Sequence, residues 1–391
     1  MKSPGTRDLF PDMLRGFALL GIALVNIQYF AVDTLNGFES GDLTNPANVF
    51  TTFIVMLLFQ SKFYLLFSFL FGYSAHYVIK GEKKNRGRWV GRSIGLILLG
   101  VIHFVFFFHG DILFLYGGFA LLLLLVYFRS DKALRRWAIS IFSVTALMFA
   151  LLSILTLVGE AFLASQGNTL PEGTGFVSDL NAALASGGFL EAADARFELW
   201  LTFAPQALFL QGPLVIVAFL AGVLVARRDG LGSGINPDLM RRFAKWGMLL
   251  GLPLQAIASY LFVSNILAEQ YSLGIYLISL TINFMTAPIL SLGYIGLLWR
   301  LSQKLQGLGI LQAAGRHSLS IYLGQSVIFS ILFSAWGLGL FAELEIWLVA
   351  LIAVLVWLLL SLLAMLNLRF SSKGPMEALL TSFSKLFAGR A

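Results

Sequence analysis

The sequence predicts an all-α, polytopic integral membrane protein with about ten spanning helices and both termini on the cytoplasmic side. Three observations lead there. Of 391 residues, 58% are hydrophobic and 12% charged, and the second figure is far below the ~25% of a water-soluble domain. The apolar runs last about 18 residues or more, a helical length, whereas a transmembrane barrel would alternate apolar and polar positions over about ten residues. The breaks between runs alternate in charge, one set basic and the other acidic.

Charged and Gly/Pro-rich breaks delimit the helices. The first run, 13–32, follows Lys2 and Arg7 as a signal peptide would. Asp8 and Asp12 in the leading segment, the lack of a prompt small-residue cleavage site and the length of the run make it an uncleaved first helix. The next runs are 48–79, 89–108, 111–128 and 137–163. After a long connection come 197–226, 243–263, 273–299, 317–336 and 344–368. Every Lys and Arg except Lys62 and Arg196 then falls on one set of breaks, which the positive-inside rule assigns to the cytoplasm. The other set holds acids such as Asp33, Glu39, Asp179, Glu191 and Glu345. The longest outer loop, about 164–196, reads either as a lid over an outer site or as a connector. The tail, 374–388, reads as an amphipathic helix on the inner surface, with Pro375 near its start. No internal repeat or soluble linker is evident, so the chain reads as a single transmembrane domain, 1–391.

Composition also excludes chemistries. Without cysteine there are no disulfides, thiolate nucleophiles, covalent haem or iron–sulfur clusters. The sequence has no HExxH, P-loop, GxSxG or dinucleotide fingerprint, and no metal site is expected. The net charge of +7 follows the topology, so no nucleic-acid partner is expected.

Charged groups within hydrocarbon cost about 2.5–3.5 kcal/mol each at mid-helix, so each needs a reason. Lys62 lies 18 residues, or ~27 Å, from Lys80 at the inner boundary. A buried ion pair lining a polar cavity is the expectation; outward snorkelling is the alternative. The densest polar cluster is GVIHFVFFFHGDILFLYGG, across the turn between the third and fourth helices. His103, 11 residues beyond Arg92, lies near the midplane, ~16 Å up. It reads either as an interhelical hydrogen bonder or as an imidazole acid or base. Asp111 is placed to cap the fourth helix or to pair with Lys62. Asn26, 11 residues beyond Arg15, is expected at the same depth as His103, as a hydrogen bonder or as part of a shared site. Pro205, Gln206, Gln211, Pro213, Asn283 and Pro288 mark kinks or a chamber wall. Gly91 and Gly95 form a GxxxG, a signal for close helix packing.

RDLFPDMLRGFALLGIALVNI, KFYLLFSFLFG, HFVFFFHGDILFLYG, GRHSLSIYLGQS and the terminal RFSSKGPMEAL together resemble the YeiB family, which carries the DUF418 domain. That family is similar to the wider transmembrane acyltransferase superfamily, with the acyltransferase-3 enzymes and the heparan glucosaminide N-acetyltransferases. The resemblance implies a ten-helix core that passes an acyl group, acetyl in the first instance, from cytosolic acyl-CoA to a hydroxyl or amine acceptor at or across the bacterial inner membrane. It implies His103, Asp111, Lys62 and Asn26 as catalytic groups and Arg15, Gly110, Tyr116 and Gln325 as substrate-binding groups. Lys83, Lys84, Arg86, Arg88 and Arg92 are then partners for the CoA phosphates. The implied partners are membrane lipid, acyl-CoA and an envelope or lipid-linked acceptor, with a homo-oligomer possible. Acyltransferase-3 proteins carry a His on the first helix where this chain has Asn26, which leaves His103 as the candidate base. A permease or exporter, and a non-catalytic binding protein, remain as alternative readings.

Overall fold

In the computed structural model, residues 9–167, 179–305 and 308–388 are described, and every regular element among them is helical. Lys2, Arg7 and Asp8, which entered the argument above, lie outside the described residues. The first predicted helix is α1 (Leu9–Asn26) followed, after Ile27, by the short α2 (Gln28–Ala31). The second is two helices, α3 (Pro46–Leu58) and α4 (Lys62–Ile79). The break falls where Ser61 adopts a left-handed backbone (φ 70°), which a continuous helix cannot accommodate. Then come α5 (Arg86–Phe106), α6 (Leu113–Val126) and α7 (Asp131–Ser165). The outer connection contains α8 (Asp179–Ser186) and the start of α9 (Phe189–Leu210).

The sixth predicted helix is likewise broken, with α9 and α10 (Gly212–Ala226) meeting at a 51° bend. Pro213 stands at the start of α10, where its missing amide costs nothing. Helices α11 (Pro237–Ile266) and α12 (Leu273–Lys304) pack closely, because Gly247 and Gly293 bring their backbones together. Pro253 and Pro288 lie inside these two helices. The chain finishes with α13 (Gly309–Arg316), α14 (Ser318–Phe333), α15 (Ile346–Asn367) and α16 (Pro375–Lys385).

Among the described residues seven helical segments are long and apolar enough to cross a membrane, eight with the bent α9–α10 pair as one span. The expectation of about ten also counted α6 and α14 as full spans. With 14 and 16 residues, they reach ~21 and ~24 Å, short of a ~30 Å hydrocarbon layer. The lipid-facing character is plain on α7, where only 17% of its most apolar stretch is buried inside the protein. Leu147, Leu155 and Phe162 on it are each about 60% exposed or more, and lipid is the solvent in which such a surface is stable. The chain is therefore an all-α polytopic membrane protein.

The core around which these helices gather runs through α1, α4, α5, α6, α10 and α14. Trp89, fully buried, donates its indole N–H to the Ala120 carbonyl at 2.8 Å and fixes α5 against α6. The GxxxG of α5 does pack closely, but its neighbour is α16. A Cβ at Gly91 would meet the Phe387 ring at 2.6 Å, and one at Gly95 would meet Leu380 at the same distance. The amphipathic tail thereby closes one end of the bundle.

Candidate active site between two cavities

The hairpin of α5 and α6 creates the site. At Gly100 the two helices come so near that a Cβ would lie 2.4 Å from the Phe114 amide nitrogen and 2.8 Å from Asp111 Oδ1. This approach lets a residue of the last turn of α5 meet a residue of the turn that follows. His103 Nδ1 and Asp111 Oδ2 are 2.7 Å apart, with both side chains almost wholly buried. Asp111 Oδ1 accepts from the Phe114 amide at 2.8 Å, so the carboxylate is oriented by a first-turn amide of α6 and cannot swing away from the imidazole. In the neutral tautomer that donates Nδ1–H to the carboxylate, Nε2 carries the lone pair. That Nε2 is buried and has no hydrogen-bond partner. The imidazole packs against the Tyr322 ring, centroids 5.2 Å apart, and edge-on to Phe108.

Two cavities approach this pair from opposite ends of the bundle. The one at the acidic end encloses about 290 Å³ and is lined by Asn26, Tyr29, Gln60, His109, Gly110 and Asp111, with Trp200 and Gln211 from the α9–α10 segment. The one at the basic end encloses about 600 Å³ and is lined by Arg15, Arg92, Arg316, Lys373 and Glu377 among others. Ile22, Ile112, Tyr116 and Tyr322 line both. They form a partition a single side chain thick, and His103 lies behind Tyr322 at its edge. Tyr116 is held by Ser68 Oγ at 2.7 Å and by donation to the Tyr64 carbonyl at 3.1 Å. The Tyr322 hydroxyl receives the Ile112 amide at 3.4 Å.

The mouth of the smaller cavity is tied by a polar chain. His109 Nε2 donates to the Thr34 carbonyl at 2.7 Å, and burial lowers the His109 pKa to about 4, so the ring is neutral. Thr34 donates from its amide and hydroxyl to Asn181 of α8, whose amide group reaches Asp33 at 2.7 Å. Beside this chain burial raises the Glu39 carboxyl to about 7. Arg196 donates to the Phe106 carbonyl at the end of α5, and burial lowers its pKa to about 10. Among the described residues no cluster of three or more His, Asp or Glu side chains is arranged to hold a metal.

Residues 225–386 match the family described as "Protein of unknown function (DUF418)". The uncharacterized protein YeiB of Escherichia coli (strain K12) is 28% identical over 403 residues, covering 98% of this chain and 98% of that protein. The uncharacterized protein YxaH of Bacillus subtilis (strain 168) is 27% identical over 398 residues, covering 96% and 93%. The likeness to the DUF418 family is carried by residues 225–386, while the similarity to the two full-length relatives runs through nearly the whole chain. A 39.9 kDa protein in the amylase 3′ region of Bacillus acidopullulyticus is 36% identical over 121 residues, 30% of this chain and 33% of that protein. No solved structure matches.

Set against the expectations from sequence, the protein brings Asp111, Asn26, Gly110 and Tyr116 to the acidic-end cavity or its partition, and Arg15 and Arg92 to the basic-end cavity, while His103 lines neither cavity and reaches the first through its contact with Asp111. Other expected site residues lie elsewhere. Lys62 makes no ion pair with Asp111 and lines neither cavity; its ammonium donates to the Met56 carbonyl at 2.7 Å. The α3–α4 break frees that carbonyl, and Asn283 reaches the same oxygen at 3.3 Å, so the cation is spent on the break. Gln325 donates to the Leu19 carbonyl at 3.4 Å, joining α14 to α1 away from both cavities. Lys83 and Lys84 are exposed, Arg86 lies over the Phe128 ring at 4.6 Å, and neither they nor Arg88 line the basic-end cavity. Arg316, Lys373 and Tyr322 do line it. Sequence reasoning assigned the first two to topology alone and gave Tyr322 no role, although GRHSLSIYLGQS and RFSSKGPMEAL, which hold all three, were motifs of the resemblance.

Proposed function

We propose that this protein is an acyltransferase of the cytoplasmic membrane, moving an acyl group, acetyl in the first instance, from CoA to a hydroxyl or amine acceptor on the other side. The observation that carries this reading is the pair of cavities entering from opposite ends and separated by one layer of side chains beside a His–Asp dyad. The basic end faces the cytoplasm by the positive-inside rule. Its cavity, within the ~300–1,000 Å³ range of small-ligand sites, offers Arg15, Arg92, Arg316 and Lys373 to the CoA phosphates. The pantetheine arm then points its thioester toward Tyr116 and Tyr322. The acceptor, envelope or lipid-linked, enters from the acidic end.

For reaction, the partition opens at Tyr322 and exposes His103 Nε2. The acceptor oxygen or nitrogen attacks the thioester carbonyl carbon and gives up its proton to Nε2. Asp111 holds the imidazole in the required tautomer and stabilises the imidazolium. Collapse of the tetrahedral intermediate breaks the C–S bond and leaves the new ester or amide. The imidazolium returns its proton to the departing sulfur, so free CoA leaves with its thiol intact. Asn26, which lines the acceptor-side cavity, donates to the oxyanion in this reading.

The test is CoA-dependent thermal stabilisation of the purified protein, combined with acyl-CoA consumption in membrane vesicles. A His103→Ala protein is expected to keep the stabilisation and lose the consumption. Flux of a small metabolite into proteoliposomes in the absence of CoA, with no shift on adding CoA, would establish a permease instead.

A further inference from the structure

Glu377 stands out among the residues of the basic-end cavity. Its carboxylate accepts from the Leu319 amide at 2.6 Å, the Ser320 amide at 3.3 Å and the Ser320 hydroxyl at 2.6 Å. It therefore occupies the N-terminus of α14, where free amides and the helix dipole favour an anion. Ser320 Oγ in turn accepts from the Met376 amide at 3.1 Å, so α14 and α16 cap each other. The anion lies in a cavity whose lining presents four cationic side chains, Arg15, Arg92, Arg316 and Lys373, against two carboxylates, Glu377 and Asp12. Asp12 is engaged with Arg15 at 2.8 Å. The Nε atoms of Arg92 and Arg316 are buried without a hydrogen-bond partner. A cavity with excess cations, unsatisfied guanidinium nitrogens and the chain's own carboxylate on a helix N-terminus is built for a more highly charged anion than the one it holds.

We infer that Glu377 is a tethered substitute for a phosphate group of the ligand, and that a diphosphate entering this cavity displaces it from α14 and loosens α16. The inference deepens the reading of this cavity as the donor chamber and rests on it for the identity of the diphosphate as that of CoA. The α16 helix is then a strap. Leu380 and Phe383 hold it on Gly95 of α5, and Glu377 latches it to α14 until the ligand arrives. Before the ligand arrives Glu377 offsets part of the cationic excess; on binding, the chamber exchanges one anion for another and frees the strap.

The test compares wild type with Glu377→Gln, which preserves shape and the ability to accept from the α14 amides but removes the charge. Binding of inorganic pyrophosphate and of CoA is measured by calorimetry in detergent. Loss of a competing unit charge at close range in a partly dehydrated cavity is expected to tighten pyrophosphate binding about tenfold. A residue that only caps a helix would leave affinity unchanged or weaken it, and either result overturns the inference. Strap movement is read separately from nitroxide labels at Ser382 and Arg135, both exposed, in a chain that has no cysteine of its own. The distance distribution is expected to broaden on adding pyrophosphate, and a distribution that stays fixed at saturation overturns the displacement. If pyrophosphate binds as expected and CoA does not, the inference stands and the donor reading falls. If neither binds to wild type, both fall. Should the Gln variant fail to fold, Glu377→Asp takes its place: it keeps the charge but retracts it from Ser320, and an unchanged pyrophosphate affinity then overturns the inference.

Discussion

Asp111→Asn tests the dyad with the least disturbance of shape. The wild-type carboxylate serves two partners, His103 Nδ1 at 2.7 Å and the Phe114 amide at 2.8 Å. In the variant, the carbamoyl oxygen keeps the Phe114 amide and the NH2 group is left facing Nδ1. A donor facing Nδ1 requires Nδ1 to accept, so the ring proton moves to Nε2 and the base loses its lone pair. The fold loses one charge-assisted hydrogen bond and gains a neutral one, a difference of about 1 kcal/mol. The reaction loses far more: a wrong tautomer in an equivalent dyad costs a factor of ~10⁴ in kcat, or about 5.4 kcal/mol at 1.36 kcal/mol per decade. The assay is release of CoA thiol from acyl-CoA in membrane vesicles, followed with a thiol-reactive chromophore against which this cysteine-free chain gives no background. A rate within tenfold of wild type, in a variant whose thermal midpoint is unchanged, would falsify His103 as the base. A lost rate accompanied by a collapsed midpoint would show that the pair is needed for folding, and the mechanism would lose its support.

Three further outcomes are expected. Arg92→Ala and Arg316→Ala should each weaken CoA-induced thermal stabilisation by an affinity factor of about ten, each removing a charge-assisted contact of ~1.5 kcal/mol, while Lys83→Ala and Lys84→Ala stay within about twofold; equal effects from all four would refute the cavity as the donor site. Lys62→Met should leave the thermal midpoint unchanged or raise it, because a buried cation with one carbonyl partner gives way to an apolar side chain of similar length; a fall equivalent to more than about 2 kcal/mol would mean that its charge is paired. Finally, the His109 pKa is depressed to about 4 from an ordinary 6.5, so the stability tied to its neutral form is complete above pH 6.5 and declines as pH falls toward 4. His109→Gln should flatten that part of the pH–midpoint curve, and an unchanged acid limb in the variant would count against a buried neutral ring.

The helical membrane fold was legible because apolar length and basic–acidic alternation report directly on the solvent around each segment. The breaks were less so. Residues 59–61 contain neither glycine nor proline, so nothing in their composition announces the left-handed Ser61. Once that break is present, the Met56 carbonyl has lost its helical partner and captures Lys62, which is why a depth argument that placed Lys62 near Asp111 chose the wrong partner. Sequence put His103 and Asp111 in one polar cluster but offered Asp111 a helix cap or Lys62 as its partner; the tight hairpin, which brings residues eight apart together, pairs it with His103. The basic cavity was not. Its Arg316 and Lys373 stand about 300 and 360 residues from Arg15, and the denser run at 83–88 attracts attention while lying outside the cavity.

Two membrane functions can be built from opposed cavities, and the thickness of the wall distinguishes them. A transporter must pass its whole substrate, so the barrier between its chambers has to rearrange on the scale of that substrate, commonly by rocking one structural repeat against another. Here the barrier is Ile22, Ile112, Tyr116 and Tyr322, and Tyr116 is fixed by two hydrogen bonds to α4. Passage of an acyl group requires much less: a thioester on one side, a nucleophile on the other and an opening the width of one aromatic ring. On the proposed reading Tyr322 is the ring that has to move: it rests on the imidazole, and its hydroxyl meets the Ile112 amide at 3.4 Å and the Asp111 carboxylate. On that reading its rotation would uncover Nε2 of His103, which packs against the ring. The group that would catalyse transfer is thus screened by the group that would admit the substrates, and the base stays shielded from water until both are present.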